Sequence, residues 1–144
     1  MRADPRLSGY LSRALSHEMA AVQQYLLQAK LVGLWGLAEQ GSRFRDDVNE
    51  ELEHAERLME RMLVLGIPCN ATQLPPIRPG RTLEEMLYID RDLEIDAIRL
   101  YEEAAAYCER RRDGETMQLM RSILDDELAH LRELDQQLAA LPKE

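Results

Sequence analysis

Glu51-Leu52-Glu53-His54 recurs downstream as Glu127-Leu128-Ala129-His130. Each is a Glu-x-x-His pair. Residues three apart on a helix share a face, one turn above the other. The carboxylate and the imidazole can then reach one point in front of that face. Hard oxygen beside borderline nitrogen suits a divalent transition metal. A further glutamate stands 33 residues before each pair, Glu18 before Glu51 (51 − 18 = 33) and Glu94 before Glu127 (127 − 94 = 33). One Glu-x-x-His pair says little, because both residues are common on helices. The doubled pattern carries the reading.

Working outward, Asp4-Pro5 has the form of a helix start, an N-cap followed by proline in the first turn. Leu11, Leu15, Glu18, Val22, Tyr25, Ala29 and Val32 then step by four and three as one core-facing stripe. The stripe ends between Gly33 and Gly36, and a second begins near Gly41: Phe44, Val48, Glu51, Ala55, Leu58, Met62, Leu65. Gly66 and Pro68 close it in the expected order. Residues 67–81 hold four of the six prolines, so no helix runs through them. A connection this long suits a crossover along the length of a bundle. Thr82 to Glu85 forms a capping box. The third stripe is Leu87, Glu94, Ile98, Tyr101, Ala105 and Cys108. Asp113-Gly114 interrupts it. The fourth is Met117, Met120, Leu124, Glu127, Leu131, Leu134 and Leu138, and it stops at Pro142. The expectation is an all-α antiparallel four-helix bundle with one long crossover between the second and third helices. The helices would cover roughly residues 5–36, 41–65, 83–111 and 114–140 of a single domain, 1–144. Glu18, Ala21, Val22 and Tyr25 align with Glu94, Ala97, Ile98 and Tyr101, so a helical hairpin is used twice.

Composition narrows the class. The chain has 144 residues, 45 % of them hydrophobic, enough for one full core. No apolar run approaches the roughly 20 residues of a membrane span. The opening Met-Arg-Ala-Asp-Pro-Arg has no secretory hydrophobic region. Two cysteines, Cys69 and Cys108, make no disulfide framework. These features lead us to expect a cytoplasmic protein. A net charge of −9 argues against nucleic acid and suits a protein that attracts cations.

Glu18, Glu51, Glu94 and Glu127 each fill a slot in an apolar stripe. Burying an ionised carboxylate costs several kcal/mol even after relaxation. Four would exceed the roughly 5–15 kcal/mol by which a domain is stable. No Lys or Arg lies on these stripes near the four. Two divalent cations would balance four carboxylates, with the neutral imidazoles of His54 and His130 completing the set. Carboxylate and imidazole without thiolate point to iron, or manganese, before zinc or copper.

These residues, with Gln24-Tyr25, Trp35-Gly36-Leu37, Glu51-x-x-His54-Ala, Glu94-x-Asp96 and Asp126-Glu127-x-x-His130, make the chain resemble the bacterioferritin family over nearly its whole length. The resemblance implies a ferritin-like bundle with an intrasubunit ferroxidase centre of two iron ions. Glu18 and His54 would bind one iron and Glu94 and His130 the other, with Glu51 and Glu127 bridging. Fe(II) would be oxidised by dioxygen or peroxide and the ferric product stored inside a 24-subunit shell. Two departures stand out. The residue after the bridging glutamate, a haem-ligating Met in haem-binding members, is Leu52 here, so haem is not expected. A mixed assembly with a haem-binding sister subunit stays open. The chain also ends at Glu144, where the family continues into a short fifth helix. That leaves open a homo-oligomer as small as a dimer, acting as a di-iron oxidase or peroxidase without mineral, and a structural subunit with a vestigial centre.

Tyr25 and Tyr101 each follow a terminal glutamate by seven residues. Their hydroxyls are expected to orient Glu94 and Glu18 across the two-fold, and Tyr25 could donate an electron. His17 points about 100° away from Glu18 and reads as a surface residue. Asp46, Asp47, Glu50, Glu53, Glu56 and Glu60 read as a solvated acidic flank. By resemblance, Asp46 and Glu50 would face a cage interior. Trp35 reads as a packing or subunit-interface anchor. Met19, Met59, Met62, Met86, Met117 and Met120 read as core or interface filling.

Overall fold

In the computed structural model, residues 4–70 and 74–142 are described. The chain ends that the sequence reading assigned to the domain, 1–3 and 143–144, lie outside them. Four helices follow one another: α1 (Pro5–Leu34), α2 (Ala38–Val64), α3 (Leu83–Arg110) and α4 (Gly114–Ala140). No helix among the described residues is long and apolar enough to cross a membrane.

The ends obey local chemistry. Asp4 accepts from the Arg6 amide, and Pro5 opens α1. Thr82 accepts from the Glu85 amide while Glu85 reaches back to Arg81, closing the capping box. Asp113 caps α4 through the Thr116 amide. Three helix ends close on the same motif, a left-handed residue followed by an amide that reaches back five residues. At α1 the left-handed residue is Gly36 (φ +82°), with Leu37 N–H to Val32 O at 2.9 Å. At α2 it is Gly66 (φ +72°), with Ile67 N–H to Met62 O at 2.8 Å. At α3 it is Arg112 (φ 58°), with Asp113 N–H to Cys108 O at 2.9 Å.

The helix ends fall within three residues of the expected bounds, and the largest differences from the sequence reading are the start of α2 and the buried face of α4. α2 begins at Ala38, three residues ahead of Gly41, behind an N-cap, Leu37, that makes no side-chain bond. No capping residue marks the start, which is why the sequence hid it. Gly41 lies inside the first turn, where an added Cβ would come 3.4 Å from Ala29 O. In α4 the buried positions are Thr116, Met120, Ile123, Glu127, His130 and Leu134. Met117, Leu124, Leu131 and Leu138 are only half-buried. The face is turned slightly from the expected stripe, and His130 rather than Leu131 points inward.

Pairings show how the helices run. Tyr101–Glu18, Tyr25–Glu94 and Gln28–Asp90 join α1 to α3, ascending one helix while descending the other. His54–Asp126, Arg57–Ser122 and Arg61–Thr116 join α2 to α4 in the same antiparallel sense. The crossover is tied to the bundle by Gln24, whose amide donates to Arg78 O and accepts from Arg78 N–H. The apolar core lies in two main parts. One includes Leu11, Leu15, Leu58, Met62, Tyr101, Met120 and Ile123. The other includes Val32, Phe44, Met86, Leu87 and Leu134. In sequence, the ligand-type residues of every helix fall between the two. Trp35 is 41 % exposed in the α1–α2 turn and packs no core.

A left-handed conformation costs a residue with a Cβ about 1–2 kcal/mol, and glycine's extra unfolded-state entropy offsets part of that. Arg112→Gly should therefore raise stability by about 0.5–1 kcal/mol, read as a higher midpoint in thermal denaturation.

Candidate metal centre

Glu18, Glu51, Glu94 and Glu127 are fully buried, and His54 and His130 are 1 % and 3 % exposed. All six face the middle of the bundle. Ligand-capable atoms of Glu18, Glu51, His54 and Glu127 lie within 4.8 Å of one another, and so do those of Glu51, Glu94, Glu127 and His130. The two groups share Glu51 and Glu127.

Much of this polar surface meets nothing but the cluster itself. Glu18 Oε2, both oxygens of Glu51 and of Glu127, Glu94 Oε2 and the Nδ1 atoms of both histidines are buried with no partner outside it; within it His54 Nδ1 lies 3.2 Å from Glu127 Oε1 and His130 Nδ1 2.9 Å from Glu94 Oε1. Orphaned buried acceptors are rare and demand an explanation. Here they converge, and they present oxygen and nitrogen donors suited to iron or manganese. The residues fit a dinuclear site.

Tyr25 donates to Glu94 Oε1 at 2.5 Å and Tyr101 to Glu18 Oε1 at 2.6 Å. Each terminal carboxylate is thus held from across the bundle, as the sequence reading expected for both tyrosines. The second nitrogen of each imidazole is held too. His54 Nε2 lies 2.9 Å from Asp126 Oδ2, and His130 Nε2 lies 3.3 Å from Asp47 Oδ2. A carboxylate on the far nitrogen fixes the tautomer and leaves Nδ1 free to face the centre.

Asp47 was read from sequence as part of a solvated flank. It is 13 % exposed at the side chain and tied to His130. Glu50 is half-buried, in a group with His54 and Asp126. The remaining flank residues, Asp46, Glu53, Glu56 and Glu60, are exposed as expected. The pairings of Asp47 and Asp126 join residues far apart in the chain, so no local spacing announces them. His17 is half-buried and joins neither ligand group. Leu52 faces outward, 39 % exposed.

Without metal, the six groups must settle their own charges. Burial raises Glu18 and Glu94, but hydrogen bonds outweigh it. Those from Glu51 and His54 bring Glu18 below its usual range, and those from Glu127, His130 and Tyr25 hold Glu94 at about 2. Burial, reinforced by these ionised neighbours, pushes Glu51 and Glu127 well up. Burial pulls His54 down, but Glu127 and Glu18 overcome it and hold it at about 11. Burial opposes the charge on His130 too, yet Asp47 and Glu94 hold it at about 12. These shifts favour charge on Glu18, Glu94 and both imidazoles and a proton on Glu51 and Glu127, a balance close to neutrality.

With this geometry in view, the likenesses to known proteins follow. A family model described as a ferritin-like domain matches residues 9–143. The chain is 35 % identical to a bacterial ferritin of Synechocystis over 99 % of its length and 92 % of the relative's. It is 33 % identical to the bacterioferritin of Rhodobacter capsulatus, over 96 % of this chain and 86 % of that one. A solved structure of Rhodobacter capsulatus bacterioferritin, described as having a metal-free dinuclear site and haem iron, superposes with a TM-score of 0.93 at 33 % identity. It covers 96 % of this chain and 87 % of its own. The family model and these relatives, 33 % and 35 % identical to this chain over nearly its whole length, place it in the bacterioferritin family of ferritin-like proteins.

Proposed function

We propose that the protein is a ferroxidase that oxidises Fe(II) to Fe(III) at an intrasubunit dinuclear centre, serving iron storage and detoxification. The observation that carries this reading is the pair of overlapping ligand groups sharing Glu51 and Glu127. Glu18 and His54 would hold one iron and Glu94 and His130 the other, with Glu51 and Glu127 between them. Two Fe(II) held together supply two electrons at once, so dioxygen can be reduced to the peroxide level without releasing a one-electron radical.

The chain's own residues do three things. They exclude bulk water, since none of the six is more than 3 % exposed. They orient the ligands, through Tyr25, Tyr101, Asp47 and Asp126. They exchange protons for metal. With that balance the metal-free centre holds four removable protons, two on carboxyls (Glu51, Glu127) and two on imidazolium (His54, His130). Two divalent cations replace those four charges and leave the interior neutral. The exchange is reversible by acid and needs no counter-ion. Manganese fits the same donors. Leu52 offers no lone pair, so the chain supplies no haem ligand at that position. Exposed Leu34, Trp35, Leu37, Leu63, Val64 and Tyr88 supply apolar surface for assembly with further subunits.

Three outcomes test this. Glu127→Gln removes one bridging charge, and rapid Fe(II) oxidation should fall to the uncatalysed rate in stopped-flow absorbance. Wild-type speed in that variant would leave a structural subunit. Loading two Zn(II) per chain at pH 7 should release about four protons, two from carboxyls and two from imidazolium, counted by pH-stat titration. The stability of the metal-free protein should fall as pH rises above 6.5. The unfolded histidines are then neutral while His54 and His130 keep their protons up to about 11 and 12. Zinc loading should flatten that slope between pH 6.5 and 9, because the loaded centre, like the unfolded chain, then holds no protons on these groups. Thermal melts across that range, with and without zinc, measure both slopes.

A further inference from the structure

Ten polar or charged residues are buried among the described residues. Six form the dinuclear centre. Gln24 ties down the crossover, and Thr116 bonds to Asp113 and Arg61 at the start of α4. Two remain, Gln28 and Asp90, both fully buried. Gln28 Nε2 donates to Asp90 Oδ1 at 2.6 Å. The other atoms of the same two groups, Gln28 Oε1 and Asp90 Oδ2, have no partner. If Asp90 were ionised, both would be buried acceptors without a donor. A proton on Asp90 Oδ2 can supply the missing donor to Gln28 Oε1 and close a ring of two hydrogen bonds.

The bundle does not require this pair. Aligning Glu18 with Glu94 sets Gln28 on Ala104 and Asp90 on Ala14. Both alanines are buried in the apolar cluster of the other half. The two-fold holds for all six ligand-type residues and both tyrosines, and it breaks here. A buried carboxyl is kept on one side where the fold packs alanine on the other.

Its place indicates a use. Gln28 lies three residues beyond Tyr25 on α1, and Asp90 four residues before Glu94 on α3. The pair is therefore the next rung of the α1–α3 seam after Tyr25–Glu94, roughly 5–6 Å along the helices. The charged groups around Asp90 are Glu94 on α3, Asp47 on α2 and His130 on α4, while α1 contributes neutral Gln28. Asp47 also lines a surface pocket of about 450 Å³ with Arg43, Asp46 and Glu133.

We propose that Asp90 is a neutral carboxylic acid that serves as the proton reserve of the Glu94–His130 half of the centre. This rests on the ferroxidase reading. Reduction of dioxygen to hydrogen peroxide takes two electrons, one from each Fe(II), and two protons. Asp90 gives one proton toward the Tyr25–Glu94 rung and is left as carboxylate. It regains a proton from solvent on the Asp47 side, and the second proton follows the same way. Burial pushes the Asp90 carboxyl well above the ordinary range, and the unpartnered Gln28 Oε1 beside it favours the protonated form. Asp90 touches neither iron nor dioxygen, so its role is to position and supply a proton.

The test uses Asp90→Asn, whose amide keeps the shape and the donor to Gln28 Oε1 while removing the transferable proton. The zinc-loaded protein is measured first by infrared difference spectroscopy. Zinc removes the protonated-carboxyl bands of Glu51 and Glu127. One deuterium-sensitive carboxylic acid band should remain at neutral pH and should vanish in Asp90→Asn. Iron oxidation is then followed by stopped flow. Asp90→Asn should be slower by about a hundredfold, the lower range of general acid–base contributions, with unchanged zinc affinity. The Gln28→Ala/Asp90→Ala double variant, which copies the alanines of the other half, should be equally slow. Absence of the band in wild type, or wild-type oxidation rates in both variants, overturns the proposal. Failure of the wild type to oxidise Fe(II) while the band is present overturns the ferroxidase reading instead.

Discussion

Six ionisable groups buried at the middle of the bundle have to sum to zero charge, and most of the structure follows from that requirement. The penalty for an uncompensated buried charge is several kcal/mol, comparable with the stability of the whole domain. Protons on Glu51, Glu127 and the two imidazoles can meet it in the metal-free centre, and two divalent cations would meet it in their place. The tyrosines bond one oxygen of each of Glu94 and Glu18, and Asp126 and Asp47 lie beside the far nitrogens of His54 and His130.

The two apolar clusters make the central position workable. They take the burden of stability to the two sides of the centre, and packed side chains there keep the four helices in register. Register matters because each ligand group draws on three helices. A slide of one residue along α2 would turn Glu51 and His54 by about 100° and dissolve both groups. The crossover contributes as well. Gln24, adjacent to Tyr25 in α1, fastens the segment that leads into α3, so the helix carrying Glu94 and Tyr101 is set against the helix carrying Tyr25 and Glu18.

The near-symmetry of the centre has a functional reading of its own. Two equivalent half-sites suit two equivalent ions, each giving one electron. Proton supply needs no such symmetry, since one route in serves both halves. Departures from the two-fold fall outside the six ligand-type residues: Gln28 and Asp90 answer to Ala104 and Ala14, and Asp47 and Asp126 to Ile123 and Glu50.

How much was legible beforehand can be judged residue by residue. Periodicity determined four helices and their inward faces, because a helix must bury one stripe whatever it packs against. The doubled Glu-x-x-His pair and its upstream glutamates singled out six residues that the bundle brings together, because carboxylates in apolar slots have few physical explanations. The seven-residue step from glutamate to tyrosine was enough to pair Tyr101 with Glu18 and Tyr25 with Glu94. Other features needed the assembled bundle. Leu37 gives no capping signal, so the start of α2 was misplaced by three residues. The α4 stripe was a fraction of a turn out of phase, because leucines on both flanks look alike in sequence. Asp47 resembled any acid on a wet helix face, and Asp90 appeared in no pattern. Their partners, His130 and Gln28, lie 83 and 62 residues away in the chain. A helix records its own periodicity in its sequence, but which residue of another helix meets it is decided only when the helices pack.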